Sequence, residues 1–181
     1  MRISILAAVA VLVVAGVGAW VVESEPGFYL RARYPLGYEH IIRGHAANYE
    51  LDPALLAAVV YAESRFDPSA RSEAGAVGLM QLLPDTAKGI ALRTGGDRFV
   101  VTDLLDPELN VRYGSWYLDH LRDRYGETRL ALAAYHAGQG NVDTWLDHGG
   151  RIEFPETRSY VAEVSRLRGV YAKAYRSELG L

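Results

Sequence analysis

The segment that decides the fold is residues 52–68, which read DPALLAAVVYAESRFDP. Asp52 is a typical helix N-cap residue, and Pro53 suits the first helical position because an amide hydrogen there would have no intrahelical partner. Apolar residues then recur along one helical face, namely Leu55, Leu56, Val59 and Val60. A second Asp-Pro pair at 67–68 stops the pattern. The segment therefore predicts a helix from Pro53 to Arg65.

The same apolar face carries one acidic residue, Glu63, four residues after Val59 and three after Val60. Burial penalises an ionised carboxylate, and so does the negative end of the helix dipole in the last turn. We therefore expect the pKa of Glu63 to be raised, which is the condition that a general acid needs near neutral pH. On this residue alone, a structural ion pair between Glu63 and Arg65 or another arginine remains an open alternative.

The rest of the domain has the pattern of an all-α protein with strand content near nil. Asp106-Pro107 repeats the cap-then-proline start of a helix, and the glycines at 138 and 140 indicate a break in the chain. The only strand-like run is short and covers residues 98–102. Further helices are predicted at 39–49, 84–93, 107–125, 127–137 and from 155 to about 175.

The N-terminal stretch from Ile3 to Val22 is apolar and contains no charged residue. A helix of about 20 residues reaches roughly 30 Å, the thickness of a bilayer core. Arg2 before the stretch and Glu23 after it predict a cytoplasmic N-terminus, with the rest of the chain outside the cytoplasmic membrane. We interpret this segment as a single transmembrane helix. The alternative is a signal peptide that is cleaved near Ala19, which would release the protein.

The chain is thereby divided into three parts. Residues 1–22 form the membrane anchor or signal peptide, and residues 23–37 form a connector that contains two prolines and two glycines. Residues 38–181 have the length of one ordinary domain with a single hydrophobic core.

The composition excludes several classes of function. The chain has 19 basic and 22 acidic residues, so it lacks the positive charge that nucleic-acid binding requires. It contains no cysteine, which excludes disulfides, thiolate metal sites and a cysteine nucleophile. The 5 histidines are too widely spaced for a metal cluster, and no metal or organic cofactor is predicted.

Four motifs carry a resemblance to a known family. They are ESRFDP at 63–68, GAVGLMQL at 75–82, AAYHAG at 133–138 and PETRSYV at 155–161. In this order and at these separations, they resemble the SLT domain, the catalytic domain of the soluble lytic transglycosylases. That domain shares its fold with goose-type lysozyme, so the resemblance implies a lysozyme-like helical domain.

The resemblance also implies an activity and a substrate. The family cleaves the β-1,4 bond between N-acetylmuramic acid and N-acetylglucosamine in the glycan strands of peptidoglycan. It does so without water and leaves a 1,6-anhydromuramyl end. The family's catalytic glutamate falls on Glu63, which would first protonate the glycosidic oxygen and then act as a base toward the sugar's own 6-hydroxyl. Two-carboxylate glycosidases need a second acid, whereas here the substrate supplies the nucleophile.

Six further residues match positions that bind substrate or line the site in the family. They are Ser72, Gln81, Tyr135, His136, Glu156 and Tyr160. Ser72 would bond the muramyl N-acetyl group, and Tyr160 would bond Glu63 or the substrate. Glu156 would line the site or orient its neighbours. His136 departs from the pattern, because the family usually has asparagine there, and histidine can titrate near neutral pH.

Two alternative functions remain open at the level of sequence. One is a lysozyme-type hydrolase on the same fold, which would use a water molecule and leave a reducing end. The other is an inactive glycan-binding module of an envelope complex, although an intact Glu63 argues against it. Among the aromatic residues, Trp116 is expected to pack in the core. For Trp145, core packing and stacking on a sugar both remain open.

Overall fold

The computed structural model describes residues 2–181, apart from the side chains at 2–6, 8, 9, 17, 19 and 22. The chain forms two compact units, which meet in sequence between Pro35 and Leu36.

The first unit consists of helix α1 (Arg2–Ser24) and helix α2 (Gly27–Arg33). Among the residues that the structure describes, no helix is both long enough and apolar enough to cross a membrane. The predicted transmembrane segment lies partly outside the described residues, and it stays a prediction. Helix α2 lies within the predicted connector, residues 23–37, and begins at Gly27 directly after Pro26.

The second unit is helical, as the sequence predicts. Its elements are α3 (Glu39–Asn48), α4 (Pro53–Ser64), α5 (Pro84–Thr94), a 3-10 helix (Val101–Leu105), α6 (Pro107–Tyr125), α7 (Thr128–Ala137), α8 (Gln139–Asp147), α9 (Pro155–Ala174) and α10 (Arg176–Leu179). Isolated bridges join Val77 to Arg71 and to Leu82 in the loop between α4 and α5.

Helix α4 forms as predicted and occupies the centre of this unit. Asp52 caps it by accepting a hydrogen bond from the Ala54 amide at 2.8 Å. Every residue from Ala54 to Val60 is buried, so the helix is enclosed on all faces and not on one stripe alone. Its closest packing partner is α9. This contact brings the ends of two distant motifs together at Glu63.

One prediction about local structure was wrong, and the strand-like run forms no strand, in keeping with the predicted all-α domain. Residues 98–102 do not form a strand, because Asp103 accepts a hydrogen bond from the Val100 amide at 3.0 Å and turns the chain into the 3-10 helix. The glycines near residue 140 do not both break the chain either. Gly138 ends α7 with a φ of 87°, but Gly140 lies inside α8, where burial of Val142 and Trp145 outweighs the low helix propensity of glycine.

Candidate active site

Glu63 lies in the last turn of α4, beside a cleft of about 430 Å³. Tyr160 of α9 donates a hydrogen bond from its hydroxyl to Glu63 Oε1 at 2.6 Å. Arg65 is exposed and forms the left-handed end of the helix, with a φ of 53°. Among the described residues, Glu63 forms no ion pair and its hydrogen-bond partner is the Tyr160 hydroxyl, so the ion-pair alternative is not the observed arrangement.

The pKa of Glu63 is shifted in the direction that the sequence predicts. Burial raises it from 4.5 to about 7, while the hydrogen bond from Tyr160 favours the charged form and opposes the rise. Near neutral pH the carboxyl group therefore exists as a mixture of acid and carboxylate, and it can both give and accept a proton.

Tyr160 is suited to the role of a donor. Burial, and next the charge of Glu63, raise the pKa of the Tyr160 hydroxyl well above its ordinary value. The hydroxyl consequently keeps its proton over the physiological pH range and gives it to the hydrogen bond with Glu63.

The cleft brings together most of the residues that the sequence singled out. Five of the seven line it, namely Glu63, Ser72, Gln81, Tyr135 and His136. Tyr160 joins the site through its hydrogen bond to Glu63. Glu156 does not line the cleft, contrary to one part of its predicted role. It lies exposed in the first turn of α9, and Thr157 is the neighbour that turns inward.

The loop between α4 and α5 presents Ser72 and Gln81 to the cleft. Ser72 accepts a hydrogen bond at its Oγ from the Ala76 amide at 3.0 Å. The Gln81 amide nitrogen donates to the Ala70 and Gly78 carbonyls at 3.1 and 2.9 Å. Both donor hydrogens of Gln81 are thereby used within the loop, and its carbonyl oxygen is the group left for a ligand.

Asn110 of α6 holds this loop in place through three hydrogen bonds, and this role was not predicted from the sequence. It is fully buried in α6. Its amide nitrogen donates to the Val77 and Leu104 carbonyls, both at 2.9 Å, and its oxygen accepts from the Met80 amide at 2.8 Å. A Cβ atom at Gly78 would lie 2.2 Å from the Asn110 nitrogen, so glycine is required there. No local pattern in the sequence identifies this role, because the Val77 and Leu104 carbonyls come together around Asn110 only in the folded domain.

Tyr135 contributes a ring to the cleft, and its hydroxyl is engaged elsewhere. The hydroxyl donates to the Met80 carbonyl at 2.6 Å, which ties α7 to the loop. Burial raises the pKa of Tyr135 well above its ordinary value, so the hydroxyl stays protonated. The hydroxyl hydrogen of Tyr135 is therefore already donated within the protein.

His136 stands exposed at the cleft and contacts α9. Its Nδ1 lies 3.2 Å from the Thr157 hydroxyl, and its ring is 4.5 Å from the ring of Tyr160 at an interplanar angle of 30°. Partial burial lowers the pKa of His136, and the charge of Glu156 opposes this. The imidazole is therefore mainly neutral at neutral pH and lies against the donor that serves Glu63.

The arrangement of acidic groups limits the possible chemistry. Among the described residues that line the cleft, Glu63 is the one carboxylic acid. The described part of the chain also contains no cluster of three or more His, Asp or Glu side chains placed to hold a metal ion. Glu63 is therefore the group of the cleft that can supply a carboxyl proton.

Comparison with known proteins gives consistent results for sequence and structure. Residues 40–154 match the family of the Transglycosylase SLT domain. The soluble lytic murein transglycosylase of Escherichia coli K12 is 34% identical over 155 residues, covering 79% of this chain and 24% of that protein. The membrane-bound lytic murein transglycosylase F of Yersinia pestis (strain Pestoides F) is 32% identical over 144 residues, which are 68% of this chain and 27% of that protein.

A solved structure is also similar. It is that of an inactive glutamate-to-glutamine mutant of the lytic transglycosylase Slt from Pseudomonas aeruginosa, with a TM-score of 0.76, 32% identity, and coverage of 87% of this chain and 27% of that one. The chain thus spans about a quarter of the length of the curated relatives it matches. The all-helical fold, the family match over most of the second unit and these similarities agree with one another. The chain belongs to the SLT family of lytic transglycosylase domains, whose fold is lysozyme-like.

Proposed function

We propose that this protein is a peptidoglycan lytic transglycosylase. It cleaves the β-1,4 bond between N-acetylmuramic acid and N-acetylglucosamine and leaves a 1,6-anhydromuramyl end. The observation that carries the proposal is Glu63, the one carboxyl group among the described residues that line the cleft, with a pKa of about 7 and a hydrogen-bond donor in Tyr160. Membership of the SLT family and the names of the relatives support it.

The proposed mechanism uses Glu63 twice. In the first step its protonated form gives the proton to the glycosidic oxygen, and the bond from this oxygen to the anomeric carbon of the muramyl sugar breaks. In the second step the carboxylate takes the proton of the sugar's 6-hydroxyl as that oxygen bonds to the anomeric carbon. The carboxyl group ends protonated, as it began, and no water is consumed. A pKa near neutrality suits both steps.

Tyr160 favours the ionised form of Glu63, whereas burial favours the protonated form. Its hydrogen bond stabilises the carboxylate that is left after the first step. Without this bond, burial alone would favour the protonated form still more strongly and make the first proton transfer less favourable.

The remaining predicted residues are proposed to position the glycan. Ser72 and the carbonyl oxygen of Gln81 would accept or donate hydrogen bonds to sugar groups from the loop. The ring of Tyr135 would pack against a sugar face, and His136 would contact substrate at the mouth of the cleft. Glu156 would act on His136 through its charge and would not touch the substrate itself.

Product analysis tests the activity directly. The 181-residue chain is incubated with purified peptidoglycan, and the released fragments are identified by mass spectrometry. We expect anhydromuramyl ends, and we expect Glu63→Gln to lower their yield at least 100-fold, since general acid–base catalysis contributes roughly two to four decades in rate. Reducing ends would instead identify a lysozyme-type hydrolase, and binding without cleavage would identify a glycan-binding module.

We also propose that residues 1–22 anchor the protein in the cytoplasmic membrane with the second unit on its outer side. The support is the uncharged sequence from Ile3 to Val22 and the length of a bilayer core. Membrane fractionation tests this, combined with N-terminal sequencing of the protein purified from cells. Retention of Met1 or Arg2 in the membrane fraction is expected, whereas a soluble protein that starts after Ala19 would show that the segment is a cleaved signal peptide.

A further inference from the structure

The ring of the cleft that is most open to a ligand belongs to His136. The two tryptophans considered above lie elsewhere, since Trp145 is buried, and Trp116 is partly exposed, contrary to its predicted place in the core. The described rings that line the cleft are those of Tyr117, Tyr135 and His136. Both tyrosines are half-buried, whereas His136 is exposed.

Two residues of α9 that lie one turn apart hold this imidazole in place. Thr157 is fully buried, and its hydroxyl oxygen lies 3.2 Å from His136 Nδ1. Tyr160 follows three residues later on the same side of the helix, and the centroid of its ring is 4.5 Å from that of the imidazole. One contact engages an edge of the imidazole and the other covers a face, so together they fix both the position and the rotation of the ring.

The hydroxyl group of Thr157 reaches across to α7 because of its place in α9. Serine and threonine side chains inside helices can bond to the carbonyl four residues earlier. Thr94, Thr144 and Ser165 do so here, at 2.9, 2.9 and 2.7 Å. Thr157 is the third residue of α9, so the residue four positions earlier precedes the helix. Among the described residues, the hydrogen-bond partner of its hydroxyl is His136 Nδ1.

This pairing decides which nitrogen of His136 carries the hydrogen. A neutral imidazole has one N–H and one unprotonated nitrogen. With the hydrogen on Nδ1, Thr157 would accept it, and the buried hydroxyl would have no acceptor in the described structure for its own hydrogen, which is unfavourable. With the hydrogen on Nε2, the Thr157 hydroxyl donates to Nδ1 and both groups are satisfied.

Nε2 is the polar atom of the imidazole that is left for a ligand. It has no hydrogen-bond partner in the part of the chain that the structure describes, and His136 is exposed at the cleft. A hydrogen on Nε2 makes this group a donor, whereas the other tautomer would present an acceptor. Gln81 offers its carbonyl oxygen as an acceptor in the same cleft. The acetamido group of an amino sugar carries one donor and one acceptor, so it can bond to groups of both kinds.

We propose that Thr157 is a positioning residue, which holds His136 in the tautomer with its hydrogen on Nε2 and so directs a neutral hydrogen-bond donor toward an acceptor oxygen of the bound N-acetylamino sugar. The identity of the ligand rests on the proposed function, whereas the tautomer is a property of the free protein. Thr157 has no contact with the sugar itself, because its side chain is fully buried.

Nitrogen NMR of the free protein tests the tautomer. The 181-residue chain is prepared with isotope-labelled histidine, and long-range proton–nitrogen spectra are recorded at pH 8. His136 is neutral there, because burial lowers its pKa below the ordinary value of 6.5. Its signals are identified by their absence from the spectrum of His136→Asn. We expect Nε2 to have the chemical shift of a protonated nitrogen and Nδ1 that of an unprotonated one, and a protonated Nδ1 would overturn the proposal.

The change Thr157→Val tests the hydroxyl group, because valine keeps nearly the shape of threonine and lacks the donor. We expect the Nδ1 signal of His136 to move toward that of a nitrogen without a hydrogen bond, and Thr157→Ser to restore it. Thr144→Val is the matched control, since it removes an exposed hydroxyl that bonds to the Gly140 carbonyl in α8, and it should leave the signal in place. An Nδ1 signal that is the same with threonine and with valine at position 157 would contradict the proposal.

Ligand binding shows whether Thr157 acts through His136. Calorimetric titrations with tri-N-acetylglucosamine use the chain with Glu63→Gln, so that no cleavage accompanies binding. We expect Thr157→Val to weaken binding by roughly three- to tenfold, because the donor that meets the sugar is no longer held in place. In a chain that also carries His136→Ala, the same change should alter the affinity by less than about twofold.

Equal losses of affinity in the two backgrounds would show that Thr157 acts on the fold alone, and the positioning role would be rejected. Failure of the proposed function is recognised separately. It is measured as the absence of anhydromuramyl products from the chain with Glu63 intact, whereas the NMR signals of His136 require no ligand and no turnover.

Discussion

At the scale of single residues, burial and the opposing hydrogen bond from Tyr160 together set how readily Glu63 keeps its proton. The bond favours the carboxylate, so Tyr160→Phe should raise the pKa of Glu63 further above 7. Because the first step of the proposed mechanism needs protonated Glu63, we expect activity to fall as pH rises through this pKa. We expect the alkaline limb of the pH–rate profile to move up by roughly one pH unit, together with a lower maximal rate.

A matched control exists for this variant. Tyr125 also donates its hydroxyl to a carboxylate, Asp143, at 2.9 Å, but neither residue lines the cleft. Tyr125→Phe should leave the alkaline limb in place. If Tyr160→Phe left it in place as well, the bond to Glu63 would be structural only.

His136 gives a second prediction at this scale. Its pKa is lowered by burial, so the imidazole is neutral at pH 7 and gains a proton only in more acidic solution. A positive charge there would face the ring of Tyr160 and the cleft. We expect wild-type activity to fall on the acid side, and His136→Asn to retain activity there. Superimposable pH–rate profiles of the two proteins would show that the histidine is incidental.

At the scale of elements, the loop that carries Ser72 and Gln81 depends on α6 through Asn110. Asn110→Ala would leave the buried Met80 amide and the Leu104 carbonyl without partners, whereas the Val77 carbonyl would keep its bond from the Leu82 amide at 3.1 Å. We expect a loss of roughly 3 kcal/mol or more in the free energy of unfolding, measured by urea titration. Asn141→Ala removes one exposed bond, from the side chain of Asn141 in α8 to the Ala137 carbonyl at the end of α7, and should cost less than about 1 kcal/mol.

The helix predictions succeeded where local chemistry decides the structure. Asp52 and Asp106 cap α4 and α6 through side-chain hydrogen bonds of 2.8 Å, and in each helix a proline follows the cap. These signals act within one turn and need no knowledge of the fold. Helix α8 was missed because its stability comes from buried Val142 and Trp145, which is a tertiary effect that outweighs Gly140.

At the scale of the whole molecule, the site depends on contacts between distant parts of the chain. The raised pKa of Glu63 was predictable from its place among apolar residues on α4. Glu63 and Tyr160 are 97 residues apart in the sequence. Their hydrogen bond was suggested by the resemblance of the four motifs to the family, and the spacing of apolar residues gave no indication of it. The role of Asn110 could not be predicted, because the carbonyls it binds become neighbours only after α6 packs beneath the loop.

The raised pKa of Glu63 also has a consequence for the stability of the whole domain. In the unfolded chain this carboxyl group ionises near 4.5, whereas in the folded protein it does so near 7. Between these values the folded state binds more protons, so the free energy of unfolding falls as pH rises. This single group should lower it by about 2 kcal/mol between pH 5 and pH 8.

Replacing Glu63 by glutamine removes this dependence, because glutamine is neutral in both states. We therefore expect Glu63→Gln to unfold at a higher urea concentration than the wild type at pH 8. We expect this gap, the difference between the urea midpoints of the two proteins, to be smaller at pH 5. Glu73→Gln, on the exposed part of the loop, should behave as the wild type at both pH values. A gap that does not change with pH would mean that Glu63 ionises alike in both states. A gap that closes at low pH would show that the domain gives up stability at neutral pH to keep one carboxyl group ready for proton transfer.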